Sequence, residues 1–81
     1  MKFKIGDPVR VMDFSELEYI HQFKTLRENV PIRHFSLRMV IYFGSIGRVT
    51  DCTRQPDGTE VYRISNDKGE NLWDGALLRI E

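Results

Sequence analysis

The residues best suited to chemistry are one cysteine, Cys52, and two histidines, His21 and His34. A nucleophilic pair needs a thiol beside an imidazole, but Cys52 lies among alternating β-formers, where a cysteine is usually a small buried hydrophobe. The two histidines are thirteen residues apart and have no carboxylate at metal-ligand spacing. A single cysteine excludes an internal disulfide. The sequence therefore predicts no catalytic site, no metal and no cofactor.

Binding chemistry is better represented, because the middle of the chain is basic. The net charge is zero, yet residues 21–48 hold five basic residues against one acidic residue. A zero balance argues against a general nucleic-acid coat, which needs a basic excess. The favoured interpretation is that these charges solvate exposed faces. The alternative is a basic patch that meets an acidic partner or a phosphate backbone.

Five short strands are expected around one stretch, Gly44–Thr53, where two glycines lead into alternating β-formers. The reverse-turn sequence Gln55–Gly58 predicts that this stretch pairs with Thr59–Ser65 as an antiparallel hairpin. The remaining strands are predicted at Val9–Val11, Glu70–Trp73 and Leu77–Ile80, and the last of these is expected to pair with the first.

Residues 13–43 form an insert between the first two strands. Ser15 and Glu18 have the spacing of a capping box at a helix start. The apolar stripe that follows is typical of an amphipathic helix. Because Pro31 disfavours helical conformation in the preceding residue, this helix is predicted to end near Val30.

The end of the insert, Leu37–Phe43, fits two structures. It could be a short helix stopped by Gly44, or a strand, since β-branched and aromatic residues dominate it. The helical turn is favoured because glycine is a natural helix stop. The fold predicted for residues 1–81 is therefore a single, mainly β domain with one inserted helix.

Four short motifs stand in a fixed order outside the insert: Lys4–Val11, Gly44–Val49, Val61–Ile64 and the closing segment 72–78. Together they resemble the strands of SH3-like small β-barrels. That class includes KOW modules, the photosystem I subunit that docks ferredoxin, the variable chain of ferredoxin–thioredoxin reductase and the nitrile hydratase β-subunit barrel. The resemblance implies a five-stranded barrel. It transfers no functional residue, because this barrel serves unrelated partners.

Four aromatic residues are expected to converge near the turn Gly44–Gly47, namely Tyr42, Phe43, Tyr62 and Trp73. Trp73 is expected to cover the open end of the barrel, and the alternative is an exposed anchor for a partner. A site for nucleic acid or an acidic peptide follows if one aromatic shares a face with basic residues. The candidate binding residues are thus Arg33, Arg38, Arg48, Tyr42 and Trp73.

These features predict a non-enzymatic protein–protein binding or regulatory module, which could be an accessory subunit. The insert is its specific part, because binding residues often lie on loops that a rigid scaffold carries. The alternative function is RNA or DNA binding through the basic middle segment. A homodimer through the apolar stripe of the insert is a further expectation. No apolar run approaches the ~20 residues of a membrane span, and no signal peptide is recognised, so we expect a cytoplasmic protein without membrane contact.

Overall fold

The computed structural model describes residues 1–16 and 35–81. Several of the predictions above concern residues 17–34 and lie outside the described residues. They are the inserted helix and its end near Val30, the Glu18 half of the capping box, and the side chains of His21, Arg33 and His34.

The described residues form one antiparallel sheet of five strands in the order β4-β3-β2-β1-β5. The mainly β class and the number of strands are therefore confirmed. The strands are β1 Pro8–Val11, β2 Ile46–Arg54, β3 Glu60–Ile64, β4 Trp73–Asp74 and β5 Leu78–Ile80. The outer strands β4 and β5 do not pair with each other, so the sheet is open.

Strand β2 is the centre of the sheet because it pairs with a different neighbour along each half. Its first residues, Ile46–Arg48, pair with β1, whereas its remainder from Val49 pairs with β3. The register shifts between Val49 and Asp51, and such an irregularity bends a strand and increases its twist. The central position predicted for Gly44–Thr53 is confirmed.

The turn sequences have the conformations that their residues favour. Gly58 has a φ of 90° and donates its N–H to the Gln55 carbonyl, which closes the β2–β3 hairpin. Gly44 has a φ of 83° directly after the last turn of the insert. Glycine adopts such positive φ values without a steric penalty. Both turns were expected from the sequence.

The strand predicted at Glu70–Trp73 is wrong in its position, since β4 covers only Trp73–Asp74. The cause is Asp67, whose carboxylate accepts hydrogen bonds from both the backbone N–H and the side-chain amide of Asn71. These bonds wrap the chain around Asp67, so the residues before Trp73 do not extend along β3.

Short 3₁₀ helices lie at both ends of the insert, within residues 13–43. The first covers Phe14–Glu16, and the second covers Leu37–Tyr42, so the helical interpretation of this segment is confirmed in 3₁₀ form. Ser15 lies inside the first helix rather than before it. The carboxylate of Glu16 accepts the Asp13 N–H at 3.1 Å, a backbone-to-carboxylate contact with the three-residue spacing of a capping box.

The core includes Val9 and Val11 of β1. Large aromatic side chains fill part of this core. The rings of Phe3 and Tyr62 pack in a T-shaped arrangement with 5.2 Å between their centroids. No helix within the described residues is long and apolar enough to cross a membrane. The buried hydrophobic residues are Phe3, Val9, Val11, Met12, Met39, Val49, Val61, Tyr62, Ile64, Trp73, Leu77 and Leu78.

Candidate functional site

The described residues hold no constellation for catalysis or metal binding. Within residues 1–16 and 35–81, no three histidine, cysteine, aspartate or glutamate side chains come together as a metal site. Cys52 is half-buried and packs against the core opposite Tyr62 of β3. This position agrees with the interpretation of Cys52 as a small hydrophobe.

Among the carboxylates of the described residues, Glu60 has the pKa that departs furthest from its usual range, so we considered it as a functional group. Hydrogen bonds from the Lys2 N–H and the Tyr62 hydroxyl, aided by Arg54, lower the pKa of Glu60 to about 2. A group with this pKa stays ionised at neutral pH and is poorly suited to proton transfer there. Its contacts join the N-terminal segment to β3, which is a structural role.

Trp73 is fully buried, so it does not present its ring to a partner. Its indole Nε1 donates to the carboxylate of Asp67 at 3.1 Å. Asp67 is itself only 3% exposed, and its two oxygens also accept hydrogen bonds from Gly69 and Asn71. Its burial argues against the exposed anchor, whereas its covering of a barrel end stays a prediction.

Arg38 lies on the second 3₁₀ helix and is exposed. Its Nε donates to the Asn71 side-chain oxygen at 3.2 Å. Because Asn71 is held by Asp67, the guanidinium of Arg38 is attached to a fixed acceptor. Hydrogen bonding to a buried network orients an arginine and reduces the entropy it loses on binding.

Arg48 is also exposed but is anchored elsewhere. One of its terminal amino groups donates to the Gly6 carbonyl at 2.8 Å, and its backbone N–H donates to the Ser65 hydroxyl. No hydrogen bond or aromatic contact in the described part of the chain links it to Arg38 or Tyr42. The proposed grouping of Arg38 and Arg48 on one face is not seen in these contacts.

Aromatic rings from both sides of residues 17–34 contact the ring of Phe43. Its ring lies 5.1 Å from that of Phe14 and 6.1 Å from that of Phe35. The chain therefore leaves the described region after residue 16 and re-enters it at residue 35 close to the same place. Half-buried Tyr42, the last residue of the 3₁₀ helix, places its ring edge-on to that of Trp73, with 6.3 Å between the ring centroids.

The same 3₁₀ helix exposes apolar side chains that the sequence analysis missed. Ile41 is 79% exposed and Leu37 is 67% exposed, the largest values among the large hydrophobic residues of the described chain. We call Leu37, Arg38 and Ile41 the 3₁₀ surface. A three-residue period was the available signal, because side chains three apart align on a 3₁₀ helix. Met39 and Tyr42 then face the core while Arg38 and Ile41 face outward.

The 3₁₀ surface presents both apolar and charged side chains to solvent. It combines exposed aliphatic side chains with one oriented guanidinium on a short, rigid element. The chain matches no known family model, no curated protein and no solved structure. Its function must therefore be inferred from its own residues.

Proposed function

We propose that this protein is a non-enzymatic protein–protein binding or regulatory module of the SH3-like barrel class, which acts as an accessory subunit of a larger assembly. The strand order, with a 3₁₀ helix at Gly75–Leu77 joining the two edge strands, supports the barrel class, since SH3-like barrels have this arrangement. The two halves of bent β2 support it further, because a strand shared by two halves of a sheet is how such barrels begin to close.

The observation that carries the binding function is the exposure of Ile41 and Leu37. Burying an aliphatic side chain that is left in water contributes roughly 1.5–3 kcal/mol, and exposed apolar groups beside polar ones mark interaction sites. These two residues stand next to the place where residues 17–34 join the described chain. The 3₁₀ surface and residues 17–34 of the insert are thus proposed to form one binding region on the sheet scaffold.

The test is quantitative affinity capture from cell extract with three tagged baits. The first is the wild-type chain, the second is the double variant L37S/I41S, and the third is I80S. Ile80 is a matched control, because it is 63% exposed on edge strand β5. We expect the wild-type chain and I80S to retain the same proteins, and L37S/I41S to lose them. Equal retention by all three baits would refute the proposal.

The alternative function, RNA or DNA binding, draws support from the exposure of Arg38 and Arg48. It is the weaker candidate because Trp73 is buried and the two arginines are anchored to different acceptors. Fluorescence anisotropy with labelled single-stranded RNA and DNA at low salt tests it. Binding that weakens steeply with salt would support this function, and its absence would remove it.

Two further expectations remain proposals. A homodimer through the insert is tested by light scattering of the purified chain at rising concentration, where a constant monomer mass would remove it. A cytoplasmic location is tested by fractionation with a tag on the full chain.

A further inference from the structure

Arg38 makes no ion pair with a carboxylate of the described residues, a property that it shares with Arg48 and Arg63. Arg10, Arg54 and Arg79 each lie within 4.0 Å of a carboxylate oxygen. Arg38 instead uses only its Nε, toward the neutral Asn71 amide. Its two terminal amino groups make no hydrogen bond within the described residues.

The hydrogen bonds behind Arg38 hold it in a defined orientation. Asn71 is buried and donates to the carboxylate of Asp67 at 2.8 Å, and Asp67 is fixed in turn by Trp73. The Nε of Arg38 is therefore occupied by Asn71, while its two terminal amino groups have no acceptor among the described residues. A carboxylate is the acceptor whose geometry matches such a pair, through two parallel hydrogen bonds.

Exposed apolar side chains lie on the same 3₁₀ helix as this guanidinium. Ile41 follows Arg38 by three residues, so the two side chains align on the 3₁₀ helix. Leu37 adjoins them on the same helix. Ile41 and Leu37 are 79% and 67% exposed to solvent. The 3₁₀ surface thus offers one oriented positive charge flanked by aliphatic contacts.

We propose that the 3₁₀ surface binds an amphipathic segment of a partner protein that carries an aspartate or glutamate next to a large apolar side chain. The carboxylate receives the terminal amino groups of Arg38, and the apolar side chain covers Ile41 and Leu37. This inference rests on the proposed function and names the chemistry of its partner. A phosphate backbone fits less well, because it would engage several cations and Arg38 is the only cation of this helix.

The experiment uses the full chain and a phage-displayed library of random peptides as the probe. The most enriched peptide is then synthesised in two forms, one with its acidic residue and one with the corresponding amide. Binding of both forms is measured by fluorescence anisotropy to the wild-type chain, R38Q, I41S and the control R48Q. Circular dichroism and the thermal midpoint check the fold of each variant.

We expect the enriched peptides to carry an acidic residue beside a large apolar one. R38Q should weaken binding about tenfold, as should the amide peptide, and the two changes together should cost no more than either alone, because both remove one charge-assisted contact. I41S should weaken binding as well, and R48Q should leave it unchanged. The amide peptide keeps the test valid even if R38Q unfolds, because it leaves the protein intact.

Several results would overturn the proposal. They are the absence of enriched peptides, enrichment without an acidic residue, and equal affinity of the acidic and amide peptides. Binding that occurs only after residues 17–34 are excised would show that the chain itself occupies the surface. Binding of labelled single-stranded RNA that depends on Arg38 would assign the surface to nucleic acid. If L37S/I41S still loses its captured proteins while the peptides show no acidic preference, the proposed function stands and this inference fails.

Discussion

At the residue scale, Gly47 shows how closely the turn after β3 packs against β2. A Cβ at this position would overlap the Asn66 side-chain oxygen and crowd the Ser65 hydroxyl. A side chain is excluded at Gly47 by these neighbouring atoms. Gly58 in the hairpin turn has open space around it, but its φ of 90° is one that other residues rarely adopt. The two glycines are therefore required for different physical reasons.

We predict that G47A lowers the free energy of unfolding by about 2–3 kcal/mol through overpacking. G58A should cost about 1 kcal/mol, from its backbone conformation alone. Urea denaturation measures both. In a background that carries N66A, the cost of G47A should shrink because the overlapping oxygen is gone, and the cost of G58A should not change. An equal cost of G47A in both backgrounds would contradict the packing explanation.

Glu60 gives a prediction of pH dependence. Since its pKa is lowered from 4.5 to about 2, chiefly by the Lys2 N–H, its contribution to stability is present above pH 4.5 and is lost as the pH falls toward 2. E60Q should destabilise the chain by about 1 kcal/mol at pH 7, a modest value because the group is partly exposed.

The measurement is thermal unfolding of the wild-type chain and E60Q across this pH range. Their midpoints should differ by a constant amount above pH 5 and should converge in acid. E70Q, a change at an exposed carboxylate on the turn before β4, is the control and should follow the wild-type curve. A difference between wild type and E60Q that persists unchanged in acid would contradict the assignment.

At the element scale, the turns were predictable and the length of β4 was not. The turns were predictable because Gly44, Pro56 and Gly58 restrict or permit particular backbone conformations by their residue type alone. The strand at Glu70–Trp73 was misplaced because the bonds of Asp67 to Asn71 and Trp73 form only once the fold brings these side chains together. For the same reason the sequence identified Arg38 as a candidate but could not show its anchor.

The edge strand β5 is protected by one side chain. Arg79 donates to the carbonyls of Ala76 and Leu78 and also pairs with Glu16 at 2.8 Å. Burial raises the pKa of Glu16, but the Asp13 N–H and Arg79 outweigh this effect and leave the pKa lowered. Arg79 thus occupies carbonyl groups that could otherwise pair with another chain.

We predict that R79A lowers the free energy of unfolding by about 1–2 kcal/mol, since it removes the side-chain donor to these carbonyls and to one oxygen of Glu16. It should also cause concentration-dependent association. R79K is the matched control, because it keeps the charge but lacks the planar fork that reaches several acceptors. Thermal unfolding and light scattering measure the two effects. A monomeric R79A of wild-type stability would contradict this role.

At the scale of the whole molecule, the described residues form a continuous sheet and core around a narrow base for the insert. The rings of Phe14 and Phe35 lie within about 11 Å of each other through their shared contact with Phe43. A flexible linker of about eight residues, with an r.m.s. span of ~16 Å, can bridge such a gap. We therefore expect the five strands to form a scaffold that folds without residues 17–34.

We predict that a chain in which such a glycine–serine linker replaces residues 17–34 still unfolds cooperatively. The shorter loop changes the entropic cost of loop closure by less than about 1 kcal/mol, and the sequences of the five strands are unchanged. Urea denaturation and circular dichroism provide the test. Loss of a cooperative transition would show that the scaffold depends on the insert. Under the proposed function, this chain should also fail to capture the partners of the wild-type protein.

The central claim is that Leu37 and Ile41 form part of a partner-binding surface. Its most direct test is the dissociation constant of a purified captured protein, measured by isothermal titration calorimetry with the wild-type chain, L37S/I41S and I80S. Loss of two buried aliphatic side chains predicts an affinity reduced by more than about tenfold for L37S/I41S and unchanged for I80S. The same dissociation constant for all three chains would contradict the claim.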